Sequence, residues 1–254
     1  MTPSIRQCVG AGLFVITLGA GVAQAELIHR FSFAAEEVKD SVGSVTGKLK
    51  GDGAKIAGGK LQLKNEDAVQ TEKISYLEFN DSILPKTGTT VSLAVWFTVK
   101  DVGAFARILD LGDGDSGEGK QFIYFSPHTV DGSSRVAITA TDVVSKTNLD
   151  FAPLDDGNPH MVVIVIDGAA KKLRVWVDGV EPKSAEDLGD NTLDKVKPVQ
   201  NWLGKSLFSA DPGLSGAIDE LRIYDHALTA AEITAAYQAG PDTLPETAKA
   251  KPVK

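Results

Sequence analysis

The sequence predicts an all-β protein, an antiparallel sandwich of two sheets that ends in one short helix. From residue 26 to residue 224 it consists of short apolar or alternating runs separated by Gly, Asp, Asn and Pro. This pattern is typical of an antiparallel sandwich. Only after Tyr224 does the hydrophobic period become helical. The predicted strands are residues 27–33, 60–63, 75–79, 91–99, 104–111, 121–125, 135–140, 160–166, 173–177 and 216–224.

The clearest strand patterns lie in the middle of the chain. Residues 91–99 alternate strictly, which places the odd-numbered apolar side chains on one face. Residues 161–166 are apolar on both faces, so we expect a central strand that is covered on both sides. The pairs Asp167-Gly168 and Asp178-Gly179 suit tight turns. Residues 164–177 are therefore predicted to form a hairpin.

A helix is predicted close to the carboxyl end. Thr229 is a natural N-cap, and Glu232 follows three residues later, as in a capping box. Gly240-Pro241 then stops the helix. The apolar residues that recur at helical spacing are Leu228, Ile233, Ala236 and Tyr237. Residues 241–254 are polar and rich in Pro, Ala and Lys, so we expect a disordered tail.

Residues 1–25 have the pattern of a signal peptide. Arg6 precedes an apolar run that is too short to span a membrane, and Ala23-Gln24-Ala25 matches the small-residue cleavage pattern. We therefore expect export to the periplasm or the cell exterior, with a mature chain that starts at Glu26 and has no transmembrane segment. A retained anchor or a buried amino-terminal helix is the alternative. The only cysteine, Cys8, lies inside the predicted signal, so no disulfide is expected.

The charge balance argues against a nucleic-acid partner. The chain has 26 basic and 34 acidic residues, a net charge of −8. Loss of Arg6 with the signal leaves 25 basic residues against 34. Such an excess of negative charge repels phosphate backbones, and no basic cluster in the sequence compensates.

Four segments, in order, resemble one known family. They are residues 29–33 with 40–43, residues 90–97, residues 159–163 with 173–179, and residues 203–204 with 216–224, 227–229 and 232–233. Together they are similar to the laminin-G-like jelly-roll domain of secreted bacterial proteins, whose fold is concanavalin A-like. Two positions depart from the pattern: residues 158–160 lack the usual Trp, and Trp176 stands where the family has Tyr. The resemblance implies one jelly-roll domain over residues 26–240.

The resemblance also implies a structural calcium site. In such a site an acid near the carboxyl-terminal strand, here Asp219, meets one near the amino-terminal strand, here Asp40. The alternative is that Asp219 pairs with Arg222 or caps a turn. A second acidic cluster in a Gly-rich loop has the composition of a calcium loop but not the EF-hand register, and a solvated loop is its alternative. Its members are Asp110, Asp113, Asp115 and Glu118.

Period-2 alternation suggests a sugar-binding surface. On three predicted strands, the face opposite the core carries aromatic rings beside polar groups, which is what a sugar ring requires. These candidate ligand-binding residues are Trp96, Arg174, Trp176, Arg222 and Tyr224. The alternative is that they pack under loops or beneath the carboxyl-terminal helix. Trp202 is another aromatic residue whose exposure the sequence does not indicate.

No catalytic group is evident in the sequence. Asp219 and Glu220 are adjacent on a strand and point to opposite faces, whereas a glycosidase needs two carboxylates across one bond. We therefore expect an exported, non-catalytic binding module that recognises a carbohydrate or another envelope or extracellular ligand. A polysaccharide-cleaving hydrolase or lyase on the same fold and a structural or adhesive surface protein are the alternatives. The sequence does not indicate the oligomeric state.

Overall fold

The computed structural model of the protein describes residues 26–65, 73–114 and 117–245. The predicted signal peptide, Asp115 and residues 246–254 of the predicted tail lie outside these ranges. Two antiparallel sheets and one carboxyl-terminal helix make up the described fold, so the predicted all-β sandwich is confirmed.

The first sheet has eight strands. Its order is β13-β12-β11-β6-β15-β4-β3, and β1 pairs with β15 outside this path. The bounds are β1 Leu27–Phe31, β3 Ala54–Ala57, β4 Lys60–Leu63, β6 Val91–Lys100, β11 Asp156–Asp167, β12 Lys172–Val177, β13 Glu186–Asp187 and β15 Gly216–Tyr224. The doubly apolar strand β11 lies between β6 and β12, as the sequence predicts for a central strand. The predicted hairpin joins β11 to β12, with Ile164 opposite Val175.

The second sheet has seven strands, in the order β10-β9-β8-β7-β14-β5-β2. The bounds are β2 Gly47–Lys50, β5 Tyr76–Phe79, β7 Leu109–Asp113, β8 Gln121–Ser126, β9 Ser134–Thr139, β10 Thr147–Phe151 and β14 Gln200–Leu203. The strand predicted at residue 104 begins only at Leu109, because residues 103–106 form a turn in which Phe105 has a φ of 65°. Short strands that the sequence does not predict complete both sheets: β2, β3, β10, β13 and β14.

The main core lies between the two sheets. From β6, the alternating residues Leu93, Val95 and Phe97 are fully buried and face the second sheet. Phe97 meets Phe125 of β8 edge-on, with ring centroids 5.4 Å apart. Burial of apolar side chains such as these is the dominant favourable contribution to folding.

A second, smaller core lies on the outer face of the eight-stranded sheet. Helix α1, Ala230–Ala239, covers this face with Ile233 and Ala236. The predicted capping box is present, since the Thr229 side chain accepts from the Glu232 backbone N–H and the Glu232 side chain accepts from the Thr229 backbone N–H. A 3₁₀ turn, Leu193–Lys195, precedes β14. Within the described residues, none of the helical segments has the length and apolar character needed to cross a bilayer.

Candidate functional site

The aromatic face that the sequence points to is covered in the structure. The exposed fractions are 6% for Trp96, 5% for Trp176, 2% for Tyr224 and 0% for Arg222. The rings of Trp96, Trp176 and Tyr224 pack in the second core beneath α1, and among the candidate ligand-binding residues only Arg174 is partly exposed. The premise of an open surface is therefore wrong. The packing alternative holds instead, because an amphipathic helix occupies the place where a ligand would lie.

Arg222 ties this covered face together. Its Nε donates to Glu220 Oε1 at 2.6 Å, and its guanidinium lies 4.3 Å from the centre of the Trp96 ring. Arg30 Nε also donates to Glu220 Oε1, at 2.6 Å. Burial alone would raise the pKa of Glu220, but these two guanidinium contacts outweigh it and hold that pKa below its ordinary value. The arrangement is a structural ion cluster.

The predicted calcium pair does not fit a calcium site. Both carboxylate oxygens of Asp40 accept N–H donors, among them His29 Nδ1 at 2.6 Å and the Gly43 backbone at 2.9 Å. Asp219 pairs with Lys60 Nζ at 2.6 Å and not with Arg222. Calcium needs six to eight oxygen ligands. Among residues 26–65, 73–114 and 117–245, no three His, Cys, Asp or Glu side chains are grouped to hold a metal.

The acidic loop cluster is also dispersed. Asp110 lies within β7 and is completely buried, whereas Glu118 is exposed in the turn after it. Asp113 ends β7, and Asp115 falls outside the described residues. The described members therefore do not share one site.

The outer face of the seven-stranded sheet carries the polar and aromatic residues that α1 does not cover. One cross-strand row runs over all seven strands: Lys48, Glu78, Trp202, Asp110, Tyr124, Ala137 and Asn148. Residues 206–208, here called the ridge, lie over the middle of this row. The ridge is held there because the Leu207 N–H donates to Asp110 Oδ2 at 3.0 Å and the Leu207 side chain packs with Phe122 and Tyr124.

On one side of the ridge lies a cleft with a volume of about 200 Å³. We call it the cleft; its lining residues are Phe105, Arg107, Tyr124, Arg135, Val143, Lys146, Phe208 and Asp211. Phe105 and Phe208 are partly exposed at its walls. Tyr124 is buried in the floor, and burial raises the pKa of its phenol.

Arg107 occupies the centre of the cleft floor. Its guanidinium carbon lies 3.9 Å from the centre of the Tyr124 ring and 5.4 Å from that of Phe105. Its Nη1 donates to the Phe105 carbonyl at 2.6 Å, and its Nη2 donates to Asp211 Oδ2 at 2.8 Å. These contacts leave Arg107 little freedom to move.

Arg135 is held just as firmly. Its Nε and Nη2 donate to the two carboxylate oxygens of Asp150 at 2.6 and 2.7 Å, in the two-pronged geometry that guanidinium groups favour. The hydrogen bonds to Asp150 raise the pKa of Arg135. Each arginine of the cleft is thus matched by a carboxylate. Lys146, also in the lining, donates to the Val143 carbonyl at 3.1 Å and has no ion-pair partner among the described residues.

On the other side of the ridge lies a second polar surface, which we call the platform. Its residues are Lys48, Lys50, Tyr76, Glu78, Trp202 and Lys205. Tyr76 and Trp202, both partly exposed, meet edge to face with centroids 5.6 Å apart. Lys205 Nζ lies 4.6 Å from the first ring centre and 4.3 Å from the second. Trp202 Nε1 donates to Glu78 at 3.4 Å.

The sequence holds little signal for this face. Phe105 and Phe208 lie in loops, where no period indicates orientation. The four-residue strand β14, which presents Trp202, is too short for alternation to identify. Trp202 is noted in the sequence only as an aromatic residue of unknown exposure.

A model of the concanavalin A-like lectin/glucanases superfamily matches residues 71–234. The chain belongs to this superfamily. The resemblance inferred from four ordered segments is therefore confirmed at the level of the fold family. Comparison with curated proteins gives no match for this chain.

Several solved structures share the fold. Domain 4 of AbnA, a GH43 extracellular arabinanase from Geobacillus stearothermophilus, in complex with arabinotriose, has a TM-score of 0.58 and 22% identity, covering 83% of this chain and 98% of that one. The Ruminococcus gnavus IT-sialidase CBM40 bound to α2,3 sialyllactose has a TM-score of 0.54 and 16% identity, with coverages of 69% and 96%.

A third similar structure is the receptor binding domain of botulinum neurotoxin C/D mosaic serotype. Its TM-score is 0.59 at 13% identity, with 84% of this chain and 51% of that chain covered. This member of the superfamily therefore spans about half of the neurotoxin domain. Identities this low establish the shared fold, and the fold hosts many functions.

Proposed function

We propose that this chain is a non-catalytic module that binds a carbohydrate in the cleft. The observation that carries the proposal is the pair of partly exposed rings, Phe105 and Phe208, beside the fixed polar groups of Arg135 and Asp211. A sugar ring presents an apolar face and a rim of hydroxyls, so aromatic walls around a polar floor are complementary to it. The volume of about 200 Å³ suits a single sugar ring of a longer chain.

The cleft is set up before a ligand arrives. Asp150 fixes Arg135, and Asp211 together with the Phe105 carbonyl fixes Arg107. Binding at such a site orders few side chains, which reduces the entropic cost of association. Two of the solved structures with this fold hold arabinotriose and α2,3 sialyllactose, which supports a glycan as the ligand class.

The acids near the cleft favour binding over hydrolysis. Glycoside hydrolysis needs two carboxylates that flank the scissile bond. Among the described residues that line the cleft, Asp211 is the only acid. Two further acids contact the cleft arginines, and both are engaged: Asp110 is completely buried beneath the ridge and accepts from the Leu207 backbone, and both carboxylate oxygens of Asp150 accept from Arg135.

The test is titration calorimetry with a panel of neutral and acidic oligosaccharides. Phe208→Ala should weaken binding about fivefold, because losing a stacked ring contact costs about 1 kcal/mol. Tyr237→Ala, which removes an exposed ring on α1, is the matched control and should leave affinity unchanged. Binding that is unaffected by Phe208→Ala, or the absence of any glycan binding at millimolar concentrations, would contradict the proposal. Release of reducing ends from a polysaccharide would favour the hydrolase alternative.

We also infer that the module acts outside the cytoplasm. The Ala23-Gln24-Ala25 pattern and the short apolar run before it support this inference. The mass of the exported chain, expected to begin at Glu26, checks it; a chain that keeps residues 1–25 in the cell would contradict it.

A further inference from the structure

The platform is a basic surface on an acidic protein. Lys48 and Lys50 point outward from β2, and Lys205 follows β14. The platform therefore has three ammonium groups and one carboxylate, that of Glu78. Only Lys50 pairs with that acid, at 2.9 Å. The whole chain has a net charge of −8. A local excess of positive charge on such a chain attracts negatively charged ligand groups.

Lys205 lacks a compensating carboxylate. Within the described part of the chain, no acid lies within ion-pair distance of its Nζ, and its nearest partners are the faces of Tyr76 and Trp202. Burial lowers the pKa of this ammonium group, because little water remains to solvate its charge. An incoming anion would supply the missing partner. Lys48 is exposed and likewise has no ion-pair partner among the described residues.

The aromatic pair Tyr76 and Trp202 supplies the apolar contact surface that a sugar site also requires. Tyr76 and Trp202 keep part of their ring surface exposed beside the ammonium groups. Glu78 holds Trp202 through its Nε1, so the ring has a fixed orientation. Ring edges next to unpaired cations suit a sugar that carries a negative charge, since the ring supplies apolar contact and the cations supply charge pairing.

We propose that the platform binds the acidic group, a carboxylate or a sulfate ester, of a glycan. This inference rests on the proposed function, that the same sheet face binds carbohydrate. Trp202 on β14 and Tyr124 on β8 are separated by one strand, β7, which places them about 10 Å apart across the sheet. A single oligosaccharide that passes over the ridge can reach both. A neutral unit then occupies the cleft, where each arginine already has a carboxylate, and an acidic unit occupies the platform.

The experiment compares glycans that differ only in charge. Oligogalacturonate against its methyl ester tests the carboxylate, and a sulfated oligosaccharide against its desulfated form tests the sulfate. The protein should bind at least one acidic member about tenfold more tightly than its neutral partner, and this preference should shrink as salt is raised. The double variant Lys48→Gln/Lys205→Gln should lose most of the preference while keeping the affinity for neutral glycans.

The controls separate this inference from the proposed function. Lys55→Gln/Lys171→Gln removes two exposed lysines from the eight-stranded sheet and its hairpin turn, and it should keep the preference. If neutral glycans bind in a way that depends on Phe208, and acidic glycans are not preferred, the proposal for the platform is wrong and the proposal for the cleft is retained. A preference that survives Lys48→Gln/Lys205→Gln would lead to the same conclusion, and Lys205 would then only cover the two rings. Failure to bind any glycan would overturn both.

Discussion

Asp110 shows how its surroundings control one side chain on the outer face of the seven-stranded sheet, here called the candidate face. It is completely buried between β7 and the ridge. Its Oδ2 accepts from the Leu207 N–H and from Arg107 Nε, while its Oδ1 has no partner among the described residues. Burial disfavours the charged carboxylate more strongly than Arg107 favours it, and the pKa rises to about 7. Asp110 therefore titrates near neutral pH, with the ridge directly above it.

Replacing Asp110 with Asn should remove a pH dependence of stability. The pKa of Asp110 is about 7 in the folded chain and about 3.8 in the unfolded chain. Between these two pH values the folded chain therefore holds a proton on Asp110 that the unfolded chain has lost. The stability that the neutral form provides is complete below about pH 4 and is lost as the pH rises to 7, with a slope of at most about 1.4 kcal/mol per pH unit. Between pH 5 and pH 7.5 the native protein should therefore lose stability relative to Asp110→Asn.

Urea unfolding across this pH range measures the difference. The exposed Asp194→Asn is the control, and its profile should run parallel to that of the native chain. Parallel profiles for Asp110→Asn and the native chain would show that Asp110 is ionised throughout.

Residue orientation was predictable, but residue exposure was not. Alternation correctly places Trp96 and Tyr224 opposite the main core, since side chains on a strand point to alternate faces. It cannot distinguish an outer face that a helix covers from one that is open, because both leave the same pattern on the strand. The partly exposed aromatic residues on the outer face of the seven-stranded sheet are Tyr76, Phe105, Trp202 and Phe208, which lie on short strands or in loops.

At the scale of elements, α1 was predictable because its signals are local. The Thr229–Glu232 capping box and the stop at Gly240 lie within the helix or directly beside it. The segment after the helix was not predictable. Arg222 Nη2 donates to the Gly240 and Thr243 carbonyls, and Leu244 packs against the second core. These contacts depend on a distant strand, so residues 241–245 lie against the sheet where composition alone suggests the start of a disordered tail.

Thr229→Ala should destabilise the protein by about 1 kcal/mol. The side chain of Thr229 accepts from the Glu232 N–H, and losing an N-cap hydroxyl leaves that donor without its helix cap. Because α1 covers Trp96 and Trp176, fraying of its first turn should also change tryptophan fluorescence before global unfolding. Urea unfolding followed by fluorescence measures both effects. Thr229→Ser retains the hydroxyl and should stay within a few tenths of a kcal/mol of the native chain; equal losses in both variants would mean that the methyl group, and not the cap, provides the stability.

At the scale of the whole molecule, two-sheet architecture follows from the sequence but strand order does not. Alternating runs and Asp-Gly turns predict an antiparallel sandwich, and local hairpins such as β11–β12 can be paired directly. The seven-stranded sheet, however, inserts β14 between β5 and β7, which are far earlier in the chain. The candidate face combines residues of all seven strands of this sheet. No local signal could predict it, because its neighbours meet only after the chain has closed on itself.

The stability of the sandwich should not depend on calcium, although the family resemblance suggests a calcium site. Asp40 already joins the first strand to the loop after it. Its carboxylate accepts from His29 and from the backbone N–H groups of Arg30, Val42, Gly43 and Val45. These donors point their positive ends at the oxygens and so oppose a cation at the same position, while Asp219 is neutralised by Lys60. The melting midpoint should be the same in calcium and in EDTA.

Asp40→Asn should lower stability by about 2 kcal/mol in either solution, since hydrogen bonds to a charged acceptor are the stronger kind. The pKa of Asp40 lies below its ordinary value, because the His29 contact and the backbone donors outweigh its burial. Its contribution is therefore present above about pH 4 and is lost as the pH falls further. Differential scanning calorimetry at pH 7 and pH 3.5 measures both effects. A midpoint that falls in EDTA and recovers with calcium but not magnesium would mean that Asp40 exchanges its N–H donors for a metal, and that the loop it holds rearranges when calcium binds.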